Sequence, residues 1–207
     1  MGKIVTLENF KKGWEFAEEE KGWCLRGHIK TYKTFKNKDF KNESGENKYL
    51  KKTLILWSAS RNGRINWGRL YRERNKNLRK LPKKTLSDDL TENDFEKITN
   101  VVKKITKCKL LTNPSFVFGS KATHFYFPCL VPAIDSNVRG ILVKKYRNYS
   151  EVEIYKNYLR LGNEELKDNQ QEVEKIYEHI NKIPDCNIDR TDLNIDAKIF
   201  EWCLLGE

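Results

Sequence analysis

The stretch Leu110–Leu142 reads LLTNPSFVFGSKATHFYFPCLVPAIDSNVRGIL. An aliphatic pair is followed by a break from Pro114 to Gly119, and Ser120-Lys121-Ala122 then opens a helix predicted to run as far as Phe127. The amides at such a helix start, Gly119 and Ser120, suit a phosphate. Pro128 and Pro132 bracket a short extended piece. The apolar run Leu130–Ile134, interrupted by Pro132, delivers Asp135, 16 residues after Gly119, and Ser136-Asn137-Val138-Arg139 begins the next helix. A carboxylate placed this way serves one of two ends. It caps the helix by accepting backbone N–H bonds, worth about 1 kcal/mol, or it faces a cleft and stabilises positive charge developing on a sugar.

Outward from this stretch the pattern is helical. Thr6 precedes Phe10, Trp14 and Ala17 at helical spacing, and Leu50, Leu54 and Trp57 mark a second helix after a polar loop at 37–47. Asn62-Gly63 is a turn signal, after which Trp67, Leu70, Tyr71 and Leu78 restart a helix that Pro82 ends. Thr91-x-x-Asp94 has the form of a capping box ahead of the stripe Phe95, Ile98, Val101, Val102 and Ile105. Ser150 caps a helix that Gly162 is expected to close, Val173 to Ile180 forms another, and a last one starts near Asp192. Period-two alternation does not extend beyond a few residues, so the expected fold class is all-α with roughly eight helices.

The chain of 207 residues carries a net charge of +11, concentrated at 61–84, where ten basic residues meet one acid, Glu73. From Arg160 onward, Arg160 included, the balance reverses to six basic and twelve acidic residues. A field of this shape steers polyanions, and arginine forks onto phosphate with two hydrogen bonds. Nucleic acid is the expected partner, ahead of an acidic protein, a membrane surface or a plain solvated helix face. Hydrophobic residues at 38% exclude a disordered chain. The short apolar runs exclude a membrane-spanning helix, and no secretory signal pattern opens the sequence. Five widely spaced cysteines without a CxxC pair indicate neither a zinc site nor a disulfide framework, and a reduced, intracellular, cytoplasmic protein is expected.

Gly119-Ser120-Lys121-Ala122 resembles the hairpin and following helix of the helix-hairpin-helix DNA glycosylases, the superfamily of endonuclease III, and Ile134-Asp135-Ser136-Asn137-Val138-Arg139 resembles its aspartate motif. The C-terminal Lys198-Ile199-Phe200-Glu201-Trp202 is similar to a helix of more distant relatives. The hairpin keeps one glycine, the hairpin-to-aspartate gap is a few residues short, and the iron–sulfur cysteines are missing, so the likeness is to a divergent member that needs no cofactor and no metal. It implies two helical lobes around a cleft with the aspartate at their junction. One lobe is 30–130, with the basic segment and hairpin; the other is 1–29 plus 131–207. It further implies excision of a damaged or modified base, in repair or antiviral defence, from a nucleotide flipped into the cleft. Asp135 is then the catalytic carboxylate, stabilising an oxocarbenium-like transition state, and Lys121 the amine that forms a Schiff base if it reaches C1′ uncharged.

Other candidates are weighed on residue type. Lys121 is equally a solvated first-turn lysine, and His124 touches a flipped nucleotide or packs in the core. Tyr126 and Phe127 stack a base or fill the interior. Trp57 and Trp67 flank Arg61 and Arg64, an interleaving that suits base stacking with phosphate clamping, and Arg69 and Arg72 extend it. Arg139, one turn beyond Asp135, pairs with it or holds phosphate. Two function classes follow: a DNA glycosylase, or a non-catalytic nucleic-acid-binding protein on the same scaffold. A nuclease or toxin finds no clustered acidic metal-ligand motif. Asp135 discriminates between the first two. Catalysis needs it in an open cleft facing the basic lobe, whereas simple binding leaves it capped and inaccessible.

Overall fold

A computed structural model describes residues 3–21, 25–38, 42–57, 59, 64–110 and 116–207. These residues are mostly helical, as expected. The helices are α1 (Leu7–Lys21), α2 (Leu25–Asn37), α3 (Glu43–Leu56), α4 (Trp67–Asn77), α5 (Glu92–Thr106), α6 (Phe116–His124), α7 (Ser136–Lys145), α8 (Glu151–Asp168), α9 (Gln170–Asn181) and α10 (Asp196–Gly206). A two-residue antiparallel ladder pairs β1 (Arg64–Ile65) with β2 (Lys109–Leu110), matching Arg64 to Leu110 and Ile65 to Lys109.

Several starts follow the local chemistry of the sequence. Thr6 Oγ1 accepts the Asn9 amide at the head of α1. Thr91 and Asp94 form a reciprocal capping box on α5, with aspartate in the place glutamate usually takes, and Ser150 and Glu153 do the same on α8. Other boundaries differ. Asn42 caps α3, so part of the expected loop at 37–47 is helix. The last helix begins at Asp196 rather than near Asp192. Gly162 does not close α8: it lies mid-helix, where an added Cβ would come within 2.7 Å of the Phe200 ring. The Asn62-Gly63 turn falls outside the described residues.

The main correction concerns the break expected at Pro114–Gly119. Helix α6 starts at Phe116, so Gly119 and Ser120 sit inside it rather than at its head. Gly119 is required by contact, since a Cβ there would lie 2.1 Å from Thr106 Oγ1 and 2.4 Å from the Val102 carbonyl of α5. A second close crossing joins the two ends of the chain. A Cβ on Gly13 of α1 would meet the Trp202 carbonyl at 1.8 Å, and one on Gly206 of α10 would meet the Asn9 carbonyl at 1.9 Å. The buried side chains form one continuous cluster, drawn from 1–29, 30–130 and 131–207 alike. The largest fully buried side chains include Trp202, Tyr32, Tyr155, Tyr158 and Phe10, and also the charged Lys198.

Candidate active site

The strap that leads to Asp135 is pinned from two sides. Ser120 Oγ of α6 accepts the Ile134 amide at 3.0 Å. On α8, Tyr155 and Tyr158 donate their hydroxyls to the Pro132 and Ala133 carbonyls at 3.3 and 3.4 Å. Asp135 arrives in extended backbone and its Oδ1 accepts the Asn137 and Val138 amides at 2.8 and 2.9 Å. It is therefore the N-cap of α7, and it is only 1% exposed.

Lys121 is not a solvated first-turn lysine. It lies within α6, 4% exposed, and donates from Nζ to the Trp57 carbonyl just past the end of α3 at 3.1 Å. Two further charged groups, to which sequence reading assigned no role, join it from α10. Lys198 and Glu201 are 0% and 1% exposed and pair at 2.7 Å. The Lys198 ammonium lies over the rings of Trp202 and Trp57, 4.7 and 5.4 Å from their centroids. The signal was available in principle. Helix α10 is apolar around most of its circumference, so a charged pair at i, i+3 on it has no solvated face to occupy.

The charges feel one another. Burial raises the Glu201 carboxyl from its ordinary range; Lys198 and Lys121 oppose the shift, and Asp135 adds to it. Burial, with Lys198 next, holds His124 down to about 3. Burial, then Lys198, His124 and Lys121, hold His28 well below its ordinary value. Both imidazoles are thus neutral at pH 7. His28 packs against Trp57 at 4.2 Å between ring centroids and Trp202 at 5.3 Å. Burial, then Glu201, raises the Tyr32 phenol well above its ordinary value. Lys121, Asp135, Lys198 and Glu201 therefore belong to one electrostatic cluster, walled by two tryptophans, two histidines and Tyr32.

The remaining candidates divide. Arg64, Arg69 and Arg72 are exposed on β1 and α4, with Lys76, Arg79, Lys80 and Lys83 also exposed beyond them. Trp67 is half-buried at the start of α4 with Lys51 over its ring at 5.3 Å. Arg61 lies outside the described residues. Arg74 leaves this face: it is 4% exposed, bound to Tyr126 at 2.9 Å and paired with Glu46 at 3.1 Å. Gly119 and Ser120 offer no phosphate site, because α5 fills the face of one and the Ile134 amide occupies the hydroxyl of the other. Arg139 does not pair with Asp135; its guanidinium engages Glu151 of α8, 3.0 Å from Nε. His124 is fully buried between Tyr32 and the Val131 carbonyl. Tyr126 and Phe127 line a cavity of about 620 Å³ together with the buried Tyr32.

Among the described residues no group of histidines, cysteines and carboxylates has a metal-binding arrangement, and no helix is long and apolar enough to cross a membrane. Comparison with protein-family models, with curated proteins and with solved structures returned no match.

Proposed function

We propose that the chain is a DNA glycosylase of the helix-hairpin-helix type that removes a damaged or modified base. The observation that carries this reading is the buried cluster of Lys121, Asp135, Lys198 and Glu201. Buried ion pairs are poor stabilisers, because desolvation cancels most of the Coulombic gain, and titratable groups held out of water beside specific charge partners mark functional sites. Two amines and two carboxylates among tryptophan rings match what base excision requires. Asp135 offsets charge on the sugar as the C1′–N bond lengthens and the base leaves with the bonding electrons. Lys121 is the amine available for covalent capture at C1′ once uncharged. The exposed arginines of β1 and α4 supply the phosphate grip.

A second reading, a non-catalytic nucleic-acid-binding protein, is favoured by one observation: Asp135 is capped and 1% exposed, the state expected of a purely structural cap. The glycosylase reading requires the cluster to open when a nucleotide enters. The deciding experiment incubates the protein with normal, damaged and modified DNAs and detects free base by mass spectrometry, with Asp135→Asn in parallel. Base release that disappears in the variant supports the enzyme. No release from any substrate, with salt-sensitive DNA binding equal in both proteins, supports the binding protein.

A further inference from the structure

The cavity at Tyr126 and Phe127 is a different place from the buried charges. None of Lys121, Asp135, Lys198 and Glu201 lines it. Phe35 of α2 and the run Phe125, Tyr126 and Phe127 past α6 give it an aromatic wall, and its volume of about 620 Å³ is that of a small-molecule site. Phe35 stacks on Phe125 and meets Tyr126 edge-on, 4.7 Å between centroids. Phe127 is half-buried and has no ring partner among the described residues.

Most polar groups around the cavity are already spent. Arg74 is committed to Tyr126, Asn75 and Glu46, and Lys36 pairs with Asp192. Asn75 gives its amide to Glu43 and its oxygen to Arg74. Asn194 donates to the Asp196 carboxylate and accepts the Asp196 amide. Both carboxylates of the lining, Glu46 and Asp192, thus meet a lining cation. Lys38 and Arg79 are left over, exposed and with no carboxylate partner among the described residues. Arg79 also continues the exposed basic face of α4 that holds Arg69, Arg72 and Lys76.

We propose that this cavity is a nucleotide-binding site, separate from the Asp135 cluster, in which a base stacks on Phe127 and its phosphate is held by Arg79 and Lys38. An aromatic wall beside unpaired cations suits a ligand that is flat and apolar at one end and anionic at the other. The side chains that would read a base edge are engaged elsewhere, so the site takes any base. The shared chemistry is that of a nucleoside monophosphate, free or within a DNA single strand arriving along α4. The proposal does not rest on the glycosylase reading.

Calorimetric titration tests it with dAMP, dTMP, deoxyadenosine and deoxyribose 5-phosphate. The two nucleotides are expected to bind within about tenfold of one another, and each at least about tenfold more tightly than deoxyadenosine or deoxyribose 5-phosphate. Arg79→Ala, at an exposed position, should weaken dTMP about tenfold, as loss of one charge-assisted hydrogen bond implies. Phe127→Leu should weaken it by a similar factor of about ten and melt near the parent. Lys103→Ala, which removes an exposed charge from α5, and Asp135→Asn should bind as the parent does. Single-stranded oligothymidylate that displaces dTMP identifies the source as DNA; dTMP binding without displacement identifies a free nucleotide. Undetectable nucleotide binding, deoxyribose 5-phosphate binding as tightly as the nucleotides, affinity indifferent to both Arg79→Ala and Phe127→Leu, or affinity lost in Asp135→Asn overturns the proposal. Nucleotide binding with these dependences but no base release from any DNA removes the glycosylase reading and keeps this one. Base release without nucleotide binding at the cavity does the reverse.

Discussion

At the scale of single residues, the proposed glycosylase activity gives the Asp135 carboxylate a second job beside the helix cap it forms, and substitutions separate the two. Asparagine caps a helix about as well as aspartate, whereas alanine loses about 1 kcal/mol. Asp135→Asn is expected to melt within a few degrees of the parent while base release is abolished; Asp135→Ala is expected to lose both activity and that increment of stability in thermal denaturation. Lys198 and Glu201 give a complementary result. Removing one partner of a buried pair leaves an uncompensated charge and costs about 3–5 kcal/mol, while replacing both by apolar residues of similar size is close to neutral. Lys198→Met should therefore be severely destabilised in urea denaturation, and Lys198→Met with Glu201→Leu should recover most of the loss and remain inactive. The histidines set a pH dependence. His28 and His124 are held neutral in the fold, the latter down to about 3, whereas unfolded imidazole titrates near 6.5. Below that value the unfolded chain binds protons the folded chain refuses, so stability falls as pH falls. The melting temperature is expected to drop between pH 7 and pH 5, by less in His124→Gln. The Asp135 cap was legible because it is made with the next residues of its own helix, whereas the burial of Lys121 was not, because it depends on Trp57, 64 residues away in sequence. The pairing of Lys198 with Glu201 is local and could have been read from an apolar helix, but their approach to Trp57 and Lys121 could not, because those residues are distant in sequence.

At the scale of elements, caps were legible and glycines were not. Thr91, Asp135 and Ser150 mark helix starts because capping is a contact with the next three residues. Gly119 and Gly162 read as breaks, yet both sit within helices where another element leaves no room for a Cβ. Sequence alone does not separate a glycine needed for a turn from one needed for close approach. Gly119→Ala is expected to drive α6 from Thr106 and Val102 of α5, at about 1–3 kcal/mol in chemical denaturation. The α5 capping box is acid-sensitive. The Thr91 backbone N–H first, then Lys84, hold Asp94 down to about 2. Its contribution is present above the ordinary aspartate range and lost as pH falls through that window. Asp94→Asn should flatten the loss of stability between pH 4 and pH 2.

At the scale of the molecule, the all-α class was legible from apolar periodicity, while the joining of both chain ends at Gly13 and Gly206 was not, because such a crossing depends on distant residues. The basic segment was legible as a charge count, but the count overstates the exposed face: Arg74 turns inward to Glu46 and Lys84 pairs with Asp94. Each phosphate contact adds about 0.9 to the slope of log K against log salt. Arg69→Ala with Arg72→Ala is therefore expected to shallow that slope by about two and to weaken binding to all duplexes alike. The central claim is that Asp135 meets positive charge on a sugar drawn in from that face. It is tested most directly by comparing affinities for duplexes that carry a cationic pyrrolidine or an uncharged tetrahydrofuran in place of one nucleoside. Pyrrolidine DNA should bind at least about 100-fold more tightly, with the advantage erased by Asp135→Asn. Equal affinity for both duplexes, unchanged in that variant, would contradict the claim and leave Asp135 a helix cap in a protein that binds DNA without cutting it.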